Sequence, residues 1–406
     1  MSLCFVLLLG VMLQAASDIL CMKESTEKYS EFWENPGEYD VWFLGNSHMY
    51  DSIYPMELWD KYGIRSYNLA ASLSGIPQTY WTMMCALEYS EPKIIVLDVY
   101  KVHQNKKYQG EKKVHLGMDS IPLSVTKIRG ICDLFGTQEK RFEYLYNFSI
   151  YHNRWEELEE GDFHVQISAA KGARTLNGIK DFSDYRVIGK ECKSKRTDTV
   201  GFCYLKKIIE ECRKRDIKLV LTAIPFRSKK KEQEALNAVT ELAREYGVPY
   251  LNMAYDDLLD YGVDFANKGH VNMFGAKKMT HYIGDYLTEH YDLTDYRDYG
   301  EVSEKWAEDY ARYQNQKLES ISQTDELGRY VQWLSDERYT CYLYREKKPE
   351  GLLAKEFAQL NNITLISKEE AEGRLGGEIK GDYAFFVENE KGEVVDAPVF
   401  RKGKRQ

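Results

Sequence analysis

Five short apolar runs, each followed by a helical pattern, constrain this chain more than any other feature. Val41–Leu44, Ser66–Ala70, Lys93–Val99, Ile217–Ile224 and Pro249–Met253 are rich in β-branched and aromatic residues and read as buried strands. Helical periodicity fills Pro55–Tyr62, Gln78–Tyr89, Val200–Arg213 and Lys229–Tyr246, and Gly275–Leu287 reads as a closing helix. Strand–helix alternation of this kind predicts an α/β fold with a parallel sheet covered on both faces. Val102–Thr199 breaks the rhythm, being polar, Tyr-rich and weakly periodic, and is expected to be a large insertion that caps the strand ends. Tyr291–Lys317 is charged and helical with few apolar anchors, and reads as a connector. A small α/β unit is expected from Leu318 to Gln406. It comprises a helix to about Arg338, strand Tyr339–Arg345, helix Glu350–Leu360, strand Thr364–Ser367, and strands near Tyr383–Glu388 and Val394–Phe400.

Composition narrows the function classes. With 43% hydrophobic and 29% charged residues, the chain is neither disordered nor a bundle of membrane spans. Its net charge of −9 argues against a general nucleic-acid binder, which needs a basic surplus to neutralise phosphates. The 31 tyrosines suit half-wet clefts for carbohydrate or polymer. The 8 cysteines form no CxxC pair, and no metal motif is visible. Leu3–Leu13 is apolar and leads into Gln14-Ala15-Ala16-Ser17-Asp18. That run is too short for a bilayer span of about 20 residues. It fits the core of a signal sequence ahead of a small-residue cleavage site, although no Lys or Arg precedes it. Residues 1–22 are expected to be an export signal or membrane anchor whose basic start lies upstream, with a buried core segment as the competing reading. The body would then lie on the extracytoplasmic side of the cell membrane.

Two segments carry candidate chemistry. The first strand runs into Gly45-Asn46-Ser47-His48, which places a serine at the carboxyl edge of the sheet, where open α/β folds bind ligands. A serine hydroxyl needs a neighbouring base before it can act as a nucleophile. Asp264 to Asn272 follows the last strand and holds Asn267, Gly269 and His270 on the same rim. Alone, each segment reads more simply as a turn or a locally bonded helix start. His48, pointing along the turn from its neighbour, suits a structural or substrate-contact role.

Together these segments resemble the SGNH, or GDSL-type, hydrolase superfamily. The resemblance is closer to the membrane-anchored SGNH-like proteins of bacterial envelopes, relatives of alginate O-acetylation and teichoic-acid D-alanylation proteins. It spans roughly Ser17–Leu287. It rests on Ser47-His48, Pro55-x-x-Leu58-Trp59, Tyr67-Asn68-Leu69, Pro92-Lys93 ahead of Val96-Leu97-Asp98-Val99, Tyr151-His152-Asn153-Arg154-Trp155, and Gly269-His270-Val271-Asn272-x-x-Gly275-Ala276.

The resemblance implies a flavodoxin-like three-layer α/β/α sandwich over residues 23–290 and acyl-ester chemistry without metal or diffusible cofactor. Ser47 would be the nucleophile and His270 the base, with an oxyanion held by the backbone N–H groups of Ser47 and Gly75. It also implies an envelope polysaccharide or teichoic-type polymer as substrate, with a membrane O-acyltransferase as acyl-donor partner. Three positions depart from the family pattern. Asn267 replaces the carboxylate three residues before the histidine, with Asp264 as an alternative orienter. The Gly-x-Asn-Asp block after the third strand is absent, which leaves Asn46 or an insertion residue as further oxyanion donor. The serine block is not Gly-Asp-Ser. The Tyr151–Trp155 cluster either packs Trp155 inward or brings His152 and Arg154 into the cleft to hold an anionic polymer. The alternative to an esterase or O-acyltransferase is a catalytically degenerate scaffold that binds polymer or the acyltransferase.

Overall fold

The computed structural model describes residues 2–108, 111–146, 148–188, 194 and 198–406, so parts of the expected insertion, Cys192 among them, lie outside the described residues. In chain order, helices α1 (Ser2–Leu20) and α2 (Lys23–Glu34) precede β1 (Val41–Leu44), α3 (Ser47–Tyr50), α4 (Pro55–Tyr62), β2 (Ser66–Asn68), α5 (Ile76–Ala86) and β3 (Ile94–Asp98). Short helices α6 (Glu111–Met118), α7 (Val125–Leu134), α8 (Gln138–Leu145), α9 (Phe148–Tyr151) and α10 (Glu160–Phe163) follow. The alternation then resumes with α11 (Val200–Lys214), β4 (Lys218–Ala223), α12 (Lys230–Tyr246) and β5 (Tyr250–Asn252). A hairpin of β6 (Phe265–Asn267) and β7 (His270–Val271) leads into α13 (Met273–His290).

Strands β1 to β5 form one sheet in the order β2-β1-β3-β4-β5, with every pairing parallel. The period of two along each strand sorts its side chains onto two faces. Trp42, Leu44, Ile95, Leu97, Leu219 and Leu221 join residues of α5, α11 and α12 in one core. Val41, Phe43, Ile94, Val96 and Val220 join residues of α4 and α13 in the other. Helices cover both faces, which is why the central strands β1 and β3 read as unbroken apolar runs. The result is a mixed α/β architecture with a five-stranded parallel sheet flanked by helices.

Among the described side chains of the apolar run near the start, none joins a buried core. The run forms α1, on which Phe5, Leu8, Val11 and Met12 are exposed, while Leu20 and Cys21 at its end pack on Tyr151. Among the described residues no helix is long and apolar enough to cross a membrane.

Residues 291–317, expected as a connector, lie largely within a helix, α14 (Gly300–Ser322), that crosses the expected boundary at 317. Trp306 and Tyr313, seven residues apart on one face, are buried against the first core, and Ile321 enters the C-terminal core. Beyond it come α15 (Leu327–Trp333), β8 (Thr340–Arg345), α16 (Gly351–Phe357), β9 (Ile363–Leu365), β10 (Tyr383–Glu388), β11 (Val394–Asp396), β12 (Val399–Arg401) and β13 (Lys404–Arg405). They build a second sheet ordered β13-β12-β10-β8-β9, antiparallel except for β8–β9, with β11 added on β10.

A strap over residues 168–182 ties these parts together. Lys171 is fully buried, with Nζ 2.5 Å from Glu31 of α2 and 2.5 Å from Asp309 of α14. The next residue, Gly172, has φ +83°, and a Cβ there would lie 2.0 Å from the Asn68 carbonyl oxygen, so only glycine fits. Further along, Gly178 N–H donates to Gln332 Oε1 of α15 at 2.8 Å. Replacing Lys171 with methionine removes the buried cation that Glu31 and Asp309 share and leaves them only the half-exposed Arg312, at 3.1 and 3.0 Å. We expect a loss of about 3–5 kcal/mol, read as a lowered urea midpoint at unchanged slope.

Candidate active site

The turn after β1 is fixed by backbone geometry. Gly45 has φ +145°, and a Cβ there would lie 2.9 Å from Asp98 Cβ at the end of β3. Any side chain would separate β1 from β3 at the place where the strand order reverses, which is where open parallel sheets form ligand crevices. Asn46 then caps α3. Its Oδ1 accepts from His48 N–H at 3.0 Å and its Nδ2 donates to Asp98 Oδ2 at 3.0 Å. Ser47 opens the helix, and its Oγ lies 2.8 Å from His270 Nε2.

His270 is delivered by the β6–β7 hairpin, whose register sets Asn267 directly opposite it. Asn267 Oδ1 is 2.9 Å from His270 Nδ1 and accepts from Gly269 N–H at 3.0 Å. A backbone N–H can only donate, so the atom facing it is the amide oxygen. The same oxygen then requires a proton on His270 Nδ1, which leaves Nε2 bare and facing the Ser47 hydroxyl. Burial, aided by Arg174 and Lys101, holds the His270 pKa below its ordinary value, while Asp51 pulls it upward. The ring is thus a neutral base near neutral pH.

Among the other residues expected from the sequence, Asp264 is not the orienter. Its carboxylate is paired with Lys278 Nζ at 2.9 and 2.7 Å and accepts from Asp260 N–H at 2.7 Å, because α13 packs its first turns against that segment. Asn46 Nδ2 spends one of its two N–H groups on Asp98 behind the turn. His152 and Arg154 do not enter the cleft. Arg154 donates to the Leu20 and Cys21 carbonyls at 2.6 and 2.8 Å and pairs with Asp162, capping the end of α1. His152 Nδ1 stays on the Ser149 carbonyl, and Trp155 is exposed. The N–H groups of Ser47 and Gly75, at the starts of α3 and α5, have no partner among the described residues. Ala71 N–H donates to Gly45 O at 3.2 Å and holds the Gly75 loop beside the Ser47 turn.

Three residues at the site were not anticipated as partners. His48 is buried, stacks on Tyr100 at 4.1 Å and meets His270 edge-on at 5.4 Å. Burial, with His270 and Lys101 nearby, pushes its pKa well down, so it forms a neutral wall. Asp51 Oδ2 lies 3.8 Å from His270 Nε2, and its oxygens take Arg174 Nε and Nη2 at 2.8 and 2.9 Å. The spacing Ser47 to Asp51, one helical turn, was the available signal for Asp51. Nothing local pointed to Arg174, which arrives from 123 positions away.

Asp98, fully buried behind Asn46, has its pKa pushed up by desolvation to about 7. A carboxyl whose folded pKa lies above its unfolded value of about 3.9 stabilises the fold fully below that lower value. The contribution is lost as pH rises through about 7. The expected loss between pH 5 and pH 8 is on the order of a few kcal/mol. Urea midpoints at the two pH values should therefore differ in the parent chain and converge in Asp98→Asn.

The geometry brings a serine hydroxyl, a histidine ring and a side-chain amide into one hydrogen-bonded line at the carboxyl edge of a parallel sheet. In comparisons with known proteins, the chain matches no protein-family model and no curated protein. Among the described residues no group of three or more His, Cys, Asp or Glu side chains is placed to hold a metal ion.

Proposed function

We propose that this chain is a serine acyl-ester enzyme of the SGNH class, built on a flavodoxin-like three-layer α/β/α sandwich. In this reading it is an extracytoplasmic esterase or O-acyltransferase acting on acyl esters of a cell-envelope polysaccharide or teichoic-type polymer. One observation carries the reading. Asn267, His270 and Ser47 are linked at 2.9 and 2.8 Å with the proton placed so that Nε2 is the base. The strand order β2-β1-β3-β4-β5 supports the sandwich, and the exposed apolar side chains of α1 support attachment at the envelope membrane.

Ser47 Oγ attacks the ester carbonyl carbon as its proton passes to His270 Nε2. The N–H groups of Ser47 and Gly75 stabilise the oxyanion, a contribution of about 3 kcal/mol per donor. Collapse of the intermediate expels the alcohol, which leaves with the proton from His270, and an acyl group remains on Ser47. Water or a sugar hydroxyl then attacks with His270 again as base, giving hydrolysis or transfer to a second polymer unit. A membrane O-acyltransferase that supplies the acyl donor fits the transfer direction.

The second reading, an inert scaffold that binds polymer or such a partner, is favoured by the neutral Asn267 where a carboxylate is expected. Incubation with an activated acetyl ester followed by intact mass measurement separates the two. A single acetyl adduct located on Ser47, or ester turnover lost in Ser47→Ala, supports the enzyme; an unmodified Ser47 in a chain that does not turn over the ester overturns it.

A further inference from the structure

An imidazolium forms on His270 each time it takes the Ser47 proton, and Asn267 offers it no charge. The nearest anion lies on the opposite side of the ring. Asp51 sits one turn beyond Ser47, its N–H donates to the Ser47 carbonyl at 3.1 Å, and its carboxylate is fully buried at 3.8 Å from His270 Nε2. We propose that Asp51, held by Arg174, is the positioning residue that supplies the negative charge His270 lacks from Asn267, so that the relay is completed from the serine's own helix. This inference rests on the serine-enzyme reading.

Three features make Asp51 suited to the task. Its shielding from water lets a charge at 3.8 Å act at low effective dielectric. Arg174 grips it through Nε and Nη2, which fixes its orientation and, with His270 and Lys28, favours the ionised form against burial, which on balance pushes the Asp51 pKa up. Arg174 is itself anchored, its N–H donating to the Tyr50 carbonyl at 2.9 Å, in the strap that Lys171 and Gln332 pin on either side. The groups facing His270 are then Asp51 from α3, Arg174 from the strap, Lys101 from the turn after β3, and the neutral ring of His48. Asp51 is the one whose charge favours the protonated ring. Arg174 and Lys101 oppose it.

Two measurements on the full chain test this. The first follows the ring protons of His270 by NMR from about pH 5 to about pH 8, with His270→Gln for assignment. Asp51→Asn should lower the His270 pKa by about one unit. The second follows alcohol release from an activated acetyl ester under single-turnover conditions. Asp51→Asn should move the acid limb of acylation down by about one pH unit and lower the plateau about tenfold. Asn267→Asp added to Asp51→Asn should move the limb back up, because a charge on the other nitrogen substitutes for the one removed. An NMR titration unchanged in Asp51→Asn overturns the inference. So does a lowered plateau with an unmoved limb that Asn267→Asp fails to restore, which is the mark of a purely structural role. A shifted NMR titration in a chain that never acylates Ser47 leaves Asp51 as the charge partner of His270 and overturns the enzyme reading alone.

Discussion

Ser47→Ala is expected to abolish covalent labelling by a serine-directed fluorophosphonate and to lower acyl-ester turnover by about 10⁴-fold or more. The size of the effect follows from the geometry. Ser47 Oγ is the hydroxyl that faces the bare Nε2 of His270, at 2.8 Å, and removing it leaves the oxyanion donors with no attacking atom to serve. His270→Ala should cost nearly as much, and the double variant little more, because a nucleophile without its base and a base without its nucleophile fail at the same step. Neither change should disturb the fold, since Asn46 continues to cap α3 through His48 N–H. Labelling that persists in Ser47→Ala would place the reactive serine elsewhere and end the assignment.

The second large effect concerns Asn267. Asn267→Ala is expected to reduce acylation by about 10²- to 10⁴-fold with little change in substrate affinity. The loss is one of tautomer and orientation. The Asn267 oxygen, fixed by the Gly269 N–H, is what keeps the proton on Nδ1, and without it Nε2 is free to carry the proton and present the wrong face to Ser47. Asn267→Asp separates orientation from charge. A carboxylate accepts the same two hydrogen bonds, so activity should persist, while its charge beside the ring raises the His270 pKa by about 1–2 units. A histidine whose pKa rises is protonated over more of the acid range, so the acid limb of the pH–rate profile should move upward. Equal loss in Asn267→Ala and Asn267→Asp would show that the residue serves the hairpin alone.

Much of the central sheet was legible in advance because its strands are dry on both faces. Val41–Leu44 and Pro55–Tyr62 fall where the apolar run and the helical period place them, and the other strands of the sheet are trimmed by one or two residues at their ends. The β6–β7 hairpin was not legible. Its strands are three and two residues long, too short for a periodicity to register although Phe265 and Val271 are buried. The helix in residues 291–317 was legible, but its burial was not. Trp306 and Tyr313 are few, but each is large, and two aromatic anchors on one face suffice to bury a helix that is charged elsewhere.

The site divides along the same line. Ser47 and His270 are read from the sequence because a serine after a first strand and a histidine after a last one share the carboxyl rim of a parallel sheet. That placement follows from topology, which hydrophobic patterning specifies. The choice of Asn267 over Asp264 required the hairpin register and the Lys278 pair, which consumes the nearer carboxylate. The charge environment was decided later still. Arg174 meets Asp51 because a strap threaded over Gly172 is pinned at Lys171 and Gln332, and no local pattern encodes a contact between segments so far apart in the chain. By itself the sequence determined which residues can be buried and so which rim they share. Only the tertiary structure decided which polar groups meet there, because hydrogen bonds and ion pairs depend on fractions of an ångström that burial alone does not set.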